Sequence, residues 1–483
     1  MTNPTSHPIP GRAVHRQAGP PVAVETRTIK LPCPPAERSW RHLAPRLRAA
    51  LGDAEPVRLI CIDADAEELV FDVALVETVR DAAWPSLLAE QGPRADPLAR
   101  TTMGPPSGAP NVVVSLLPTG IRAEIGGFAG DATPATNLLA ATCDHLITNP
   151  NAVTASDLYF AADNVGYLEG NLLCRFLLGQ LDLGVGGHRR VGLVVEEPVQ
   201  AAFGRNVLNA VNAMRTVAGI EVDPVVFTGR IRTESRYAEH GHATGAYGDL
   251  GALLDALEHV QAAGARSVGV VSSIDVPQPV REAYYNGEPI PNPWGSAEAI
   301  LTHTATSYFP VTAAHSPLLL EAEHTCFGTL GDPRDGAELI SSAFLCSMVR
   351  GLSRAPALIP ASMPEQVPHQ GGEQRLSADQ VRAVVMPETA VGNIPFFVAL
   401  DRRIPVILVR GNHTSAGLTP ARLGLDADLP GPTRPIYTVA SYMEAAGLLL
   451  ALRDGIAPTA LMRPIRGVEP VLLHRTEPTE KAA

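Results

Sequence analysis

One repeated local pattern constrains the fold more than any other feature of this chain. A short apolar run is followed by a loop rich in glycine or amides, and then by a helix. Residues 112–117, VVVSLL, open the series. A strand that is apolar on both faces must be covered on both sides, as in a parallel sheet flanked by helices. Similar runs follow at Val191–Val195, Ser267–Val271, Ala383–Met386 and Pro405–Val409. Helical spacing appears between them at about 200–217, 249–263, 336–350 and 394–401, with a last helix over 440–453. Strands alternating with helices predict βαβ units. The expected fold class is α/β, with parallel, doubly wound, Rossmann-like sheets in one or two lobes.

The N-terminal part reads differently. Residues 1–21 are rich in Pro, Gly and polar side chains and are expected to be disordered. Residues 22–100 predict a small α+β domain. Its strand Val22–Leu31 leads to a helix Pro35–Leu51 with Trp40, Leu43, Leu47 and Leu51 on one face. Strands Val57–Asp63 and Glu68–Val76 follow. Residues 101–110, TTMGPPSGAP, are a linker by composition. The α/β region divides into 111–360, which holds a glycine-rich loop, and a C-terminal unit, 380–463. A flexible tail, 464–483, ends the chain.

Composition matters where it closes off chemistry. Of the 38 basic residues, only Lys30 and Lys481 are lysines, and both lie outside the apolar-rich middle. Schiff-base and pyridoxal phosphate chemistry need a lysine in a packed pocket, and a Walker loop needs one after its glycines. An anion here must therefore be held by arginine, backbone N–H groups, histidine or a metal. The formal net charge is −12 and no basic run occurs, which argues against a nucleic-acid partner. No apolar stretch approaches the roughly 18 residues of a membrane span, and the N-terminus lacks a signal-peptide core. The six cysteines are scattered, without CxxC, and predict reduced thiols in a cytoplasmic protein.

The most informative loop is LLPTGIRAEIGGFAGDATPATNLLA, 116–140. It carries Thr119, Gly120, Arg122, Gly126, Gly127, Gly130 and Asp131 between a buried strand and a helix starting near Pro134. A strand delivers such a loop to the carboxyl edge of a sheet, and a helix start offers N–H groups and a positive dipole end. That is the layout of an anion site, with Arg122 supplying charge. The spacing is neither GxGxxG nor a Walker loop. The plainer alternative is a tight turn whose glycines only permit positive φ.

The string PTGIRAEIGGFAGDA (118–132) and the segment CDHLITNPNAV (143–153) resemble the domain-of-unknown-function family numbered 3326. The resemblance continues through DNVGYLEGNLLCRFLLG (163–179), GSAEAILTH (295–303), AAHSP (313–317), GLSRAP (351–356) and SYMEAAG (441–447), over about 111–460. It implies boundaries and candidate residues, and no activity. Two departures leave room for a diverged substrate. This chain has SSIDVP (272–277) where the family tends to read RFPDD, and GNHTS (411–415) where it tends to read ENTT.

Other polar residues cluster at predicted strand ends. Asn149 and Asn151 flank Pro150, where amides can orient a ligand or simply make a turn. Glu169 precedes a helix carrying Arg175, and can serve as an acid/base group or as a helix-start cap. Glu196 and Glu197 end a strand, and one of the two should face a cleft; Asp275 follows the same logic. His303 and His315 are the best histidines for acid–base work, with a structural role as the alternative for each. No GxSxG elbow exists, so a serine hydrolase is not expected. His240 and His242, with Glu239, could start a metal site but lack the usual companions, and no metal ligand set is assigned. Arg354 could clamp a carboxylate or phosphate, or serve as a helix C-terminal cation. Asn393 and Asn412 lie in loops that a right-handed crossover would set side by side.

These residues predict an enzyme acting on a small anionic metabolite in a cleft between α/β lobes. The glycine loop, with Arg122 or Arg354, would hold the anion. His303 or His315, with Glu169 or Glu197, would move the proton. A non-catalytic metabolite- or cofactor-binding protein would use the same loop and need no histidine. A metal-dependent enzyme would need the paired histidines. The sequence assigns no cofactor. The expected partner is a small anionic molecule, with neither nucleic acid nor membrane, and a homo-oligomer is left open.

Overall fold

A computed structural model describes residues 12–13, 21–78, 80–89, 109–149, 160–198, 201–238, 242–318, 334, 344–364, 373–425, 436–465, 467–468 and 470–473. Asn151, Glu239, His240, most of the first 20 residues, most of the 101–110 linker and residues 474–483 lie outside these. So do residues 336–343, the first part of an expected helix.

The N-terminal unit holds β1 (Val24–Pro32), α1 (Trp40–Leu51), β2 (Pro56–Ala64) and β3 (Glu68–Val76). Its antiparallel sheet has the order β1-β3-β2. Trp40, Leu43, Leu47 and Leu51 are buried on one face of α1, as their spacing predicts. The helix starts later than its apolar pattern suggests, because Pro35–Glu37 is a 3-10 turn and Arg38 folds inward onto the carbonyls of Cys33 and Asp65.

The α/β region begins with β4 (Val112–Leu116), α2 (Thr133–Ala140), β5 (His145–Asn149), β6 (Val165–Tyr167) and α3 (Gly170–Leu178). Strand β7 (Leu181–Val185) then leaves this layer. A second layer follows, with β8 (Val191–Glu196), α4 (Ala201–Val217), β9 (Val222–Thr228), β10 (Thr233–Tyr237), β11 (Ala243–Tyr247) and α5 (Gly251–Ala262). It continues with β12 (Ser267–Ser272), β13 (Ile274–Asp275), α6 (Gln278–Tyr285), α7 (Gly295–Tyr308), β14 (Thr312–Pro317) and α8 (Phe344–Ser353). The chain returns through β15 (Ala357–Pro360) and β16 (Gln374–Leu376), which flank β7. It closes with β17 (Val381–Pro387), α9 (Ile394–Asp401), β18 (Val406–Val409), β19 (Ile436–Val439) and α10 (Tyr442–Arg453).

The central sheet is parallel throughout, in the order β6-β5-β4-β17-β18-β19. This is the strand order of a dinucleotide-binding, doubly wound sheet. The second parallel sheet, β9-β8-β12-β14, is inserted between its third and fourth strands. The expected division between 111–360 and 380–463 therefore runs through one sheet. Val114 of β4 lies between Ile147 of β5 and Val384 of β17. Strand pairing across so long an insertion leaves no local trace in the sequence.

Alternation along β4 assigns its side chains to two cores. Val112, Val114 and Leu116 pack with the N-terminal unit, whereas Val113 joins a core shared with the second sheet. The N-terminal unit is thus packed directly against the central sheet.

Candidate functional site

In an open parallel sheet, ligands bind outside the carboxyl ends of the strands, where the strand order reverses. In the central sheet that point lies between β4 and β17. A cavity of about 130 Å³ is found there. At roughly 30 Å³ per water, it has room for a few waters or a small metabolite. Leu116, Pro118 and Thr119 line it after β4, Asn149 at the end of β5, and Asn393, Ile394 and Pro395 at the start of α9. Gly170, Asn171 and Cys174 of α3 and Ser296, Ala299 and His303 of α7 complete the wall, together with His242. Arg58 and Asp72 reach it from the N-terminal unit.

His303 of α7 lines this cavity and is tied to a buried carboxylate. Its Nδ1 is bonded to Oε1 of Glu169, a fully buried carboxylate at the N-cap of α3. Oε2 of Glu169 accepts from the amides of Asn171 (2.9 Å) and Leu172 (3.3 Å) and from the Thr306 hydroxyl (2.8 Å). His303 and Thr306 share a face of α7 because they stand three residues apart. One carboxylate therefore caps one helix and receives two side chains from another. Burial alone would push the Glu169 carboxyl up, but attraction to His303 and the hydrogen bonds from His303, Thr306 and Leu172 hold it below its usual range. Glu169 is the helix-start cap that its position suggests, and its other oxygen meets the His303 ring.

The ring of His303 lies over Gly170, where a Cβ would come within 2.8 Å of Cε1. Only glycine leaves that space to the imidazole. Among the described residues nothing hydrogen-bonds to Nε2 of His303. The nearby Cys174 thiol is pushed up to about 12 by burial, which keeps it from being a thiolate nucleophile at neutral pH. The first turns of α3, α7 and α9 all line the cavity; the Glu169 carboxylate offsets the positive end of α3, which leaves those of α7 and α9. Arg58 adds a guanidinium, ion-paired with Asp72.

The other candidates fall elsewhere. His315 is wholly buried, outside the cavity, with Nδ1 2.8 Å from Glu298 and Nε2 2.9 Å from Ser272 Oγ. Glu196 rather than Glu197 turns inward. It accepts from the Ile231 amide (2.8 Å) and the Ser273 amide (2.9 Å), which fills the point between β8 and β12 where the second sheet reverses. Glu197 lies beyond the strand end and is exposed, as is Asp275.

The glycine loop is shaped by positive φ at Gly120, Arg122, Gly126 and Gly130, and a Cβ on Gly127 would overlap the Ala123 carbonyl. Several of its amides are already taken. Gly126 donates to Asp131 (2.7 Å), Ile125 to Asn412 (2.9 Å) and Glu124 to the His413 carbonyl (3.0 Å). The loop reaches the cavity through Pro118, Thr119 and Ile121. Arg122 stands 3.8 Å from Glu124, Arg354 pairs with Asp163 at 2.8 Å, and neither lines the cavity. Asn412 is buried and ties the loop to Tyr442 of α10 at 2.9 Å. Asn393 caps α9 through the Phe396 amide (2.9 Å) and faces the cavity. Among the described residues, no group of three or more His, Cys, Asp or Glu could hold a metal ion.

Sequence reasoning missed Arg58, Asp72, Ser296, Thr306, Ser272 and Glu298. A signal existed for two of them: Asp72 interrupts the apolar run LVFDVALV, and Glu298 stands in the small, apolar GSAEAIL. A carboxylate in such company is buried only with a partner.

Residues 112–462 match the family described as a protein of unknown function, DUF3326. The chain belongs to this family. An uncharacterized lipoprotein of Synechococcus sp. is similar to it, 30% identical over 355 residues that span 72% of this chain and 92% of that protein. No solved structure matches the chain. The DUF3326 segment starts with β4 and contains both parallel sheets and α7, whereas Arg58 and Asp72 precede it. No helix among the described residues is long and apolar enough to cross a membrane.

Proposed function

We propose that this chain is an enzyme that moves a proton on a small anionic metabolite held in the cavity of the central sheet. His303 is the acid–base residue and Glu169 its positioning residue. One observation carries this reading. The imidazole has one nitrogen fixed by a buried carboxylate and the other unbonded, on a residue that lines a cavity where parallel sheets bind ligands. The starts of α7 and α9 and Arg58 favour an anion there. Thr119, Asn149 and Asn393 line the same cavity.

The test is His303→Gln in the full chain, incubated with metabolite extracts and followed by mass spectrometry. Wild-type protein should consume one small anion. The variant should still bind that anion but lose roughly 10²–10⁴ in turnover. Turnover at the wild-type rate in the variant would leave a different catalytic group, and binding without consumption by the wild-type protein would leave a binder. The five described cysteines are free, which supports a cytoplasmic setting. The word lipoprotein in the relative's name gives the competing location, and recovery of this chain with membranes on cell fractionation would overturn ours.

A further inference from the structure

We infer that the ligand is a small monocarboxylate and that Arg58 is the residue that anchors it. This deepens the proposed function and rests on the cavity being the substrate site. Arg58 comes from β2, in the N-terminal unit, and its side chain is only 13% exposed. Its guanidinium carries five N–H donors in a fixed fork. One nitrogen pairs with Asp72. Nη1 stands 3.4 Å from the Ser296 hydroxyl, at the long limit of a hydrogen bond. Nε is buried away from the cavity, so the Nη1 and Nη2 edge is the part of the fork left for a ligand. Donors left unmet in a buried guanidinium are costly, and a ligand carboxylate supplies the two acceptors that match its fork.

The surroundings favour a single negative charge over a phosphate. Asp72 offsets the charge of Arg58, so among the described residues this pair brings no net positive charge for a dianion. The loop after β4, where a phosphate would look for backbone amides, gives several of them to Asp131, Asn412 and His413. Leu59, Ile60 and Ile121 make much of the remaining wall apolar. A carboxylate on a short, partly apolar body satisfies Arg58 and fills about 130 Å³. The N-terminal unit, which lies outside the family segment, is then part of the site and selects the ligand.

Titration of the full-length protein with acetate, propionate, lactate and inorganic phosphate, followed by calorimetry, tests this. At least one monocarboxylate should bind more tightly than phosphate. R58Q/D72N removes both members of the pair and should weaken carboxylate binding roughly ten- to a hundredfold. R58K keeps the charge without the fork. It should also weaken binding, and gives the answer if the double variant does not fold. Tighter binding of phosphate, no binding of any carboxylate at tens of millimolar, or wild-type affinity in the Arg58 variants would overturn the inference. H303Q separates the two readings, because it removes the imidazole and leaves the Arg58 guanidinium in place. If H303Q turns over normally while R58Q/D72N loses binding, the catalytic reading fails and this one stands.

Discussion

Helix α7 contributes to two imidazole–carboxylate pairs on different sides, and they differ in what lies beyond the ring. In the first, His303 on α7 meets Glu169 at the start of α3, and its other nitrogen belongs to a residue lining the cavity. In the second, Glu298 on α7 meets His315 on β14, and the other nitrogen is closed off by Ser272. The carboxylates differ as well. Glu169 collects hydrogen bonds on both oxygens and is held below its usual range. Oε2 of Glu298 is buried without a hydrogen bond, and burial pushes that carboxyl up, offset only in part by His315. The two parallel sheets repeat the contrast. The reversal point of the central sheet is an open cavity, and that of the second is filled by the side chain of Glu196. On the proposed reading, the same pair of side chains serves a site where its second nitrogen is left open and is a strut where it is sealed.

The largest effect is expected at Glu169. E169A removes a buried charge partner and a helix cap together, and should cost on the order of 3–5 kcal/mol in chemical denaturation. E169Q keeps an oxygen for the α3 amides and should retain more of the stability. Its signature is kinetic: kcat falls while KM stays near wild type, because the ring is misaligned but the ligand contacts remain. A purely structural Glu169 would lower stability in E169Q with no change in kcat.

How much of this was legible in the chain follows from what each feature leaves in local sequence. The strands of both parallel sheets are apolar on two faces, and runs such as Val112–Leu117 mark them directly. Glu169, Thr119, Asn149 and Asn393 stand at or just beyond element ends, where residue type carries the signal, and His303 stands out as the one histidine of an apolar helix. Helix α7 shows why the rest was hidden. It is buried on nearly all sides and built largely of Ala, Thr and Ser, so it has no polar face and no clear helical period. Arg58 and Asp72 belong to an antiparallel unit far along the chain from His303, and only tertiary packing brings them to the cavity. Glu196 and Glu197 could not be told apart, because a strand buried on both faces does not announce which way its last residue turns.

A change at Gly170 separates the open pair from the fold that carries it. Its backbone is helical, so alanine there should be nearly neutral or slightly favourable for α3 itself. The added Cβ, 2.8 Å from His303 Cε1, must displace the ring. G170A should lower turnover by roughly 10²-fold, the effect of about 1 Å of misplacement, with stability changed by less than about 1 kcal/mol. Gly229→Ala, where a Cβ meets nothing within 4 Å, is the matched control. Equal kinetics in the two variants would mean that the position of His303 does not matter.

The smallest effect is expected at the sealed pair, and its sign with pH distinguishes the two carboxylates. The folded pKa of Glu169 lies below the unfolded value of about 4.3, so its contribution is present above that value and is lost as pH falls through the folded one. The folded pKa of Glu298 is raised, so the fold prefers its protonated form. Its contribution is full below about pH 4.3 and fades as pH rises through the folded value. E298Q carries a neutral group of the same shape at every pH. Relative to wild type it should therefore gain stability as pH rises from about 4 to 8, and differ from it by about 1 kcal/mol or less at neutrality. E169Q should move the opposite way, with its deficit shrinking in acid. Turnover in E298Q should stay within about twofold of wild type, because Glu298 faces away from the cavity. If denaturation curves across this range give both variants the same slope with pH, the two pairs are electrostatically alike, and the open nitrogen of His303 alone would have to account for their difference.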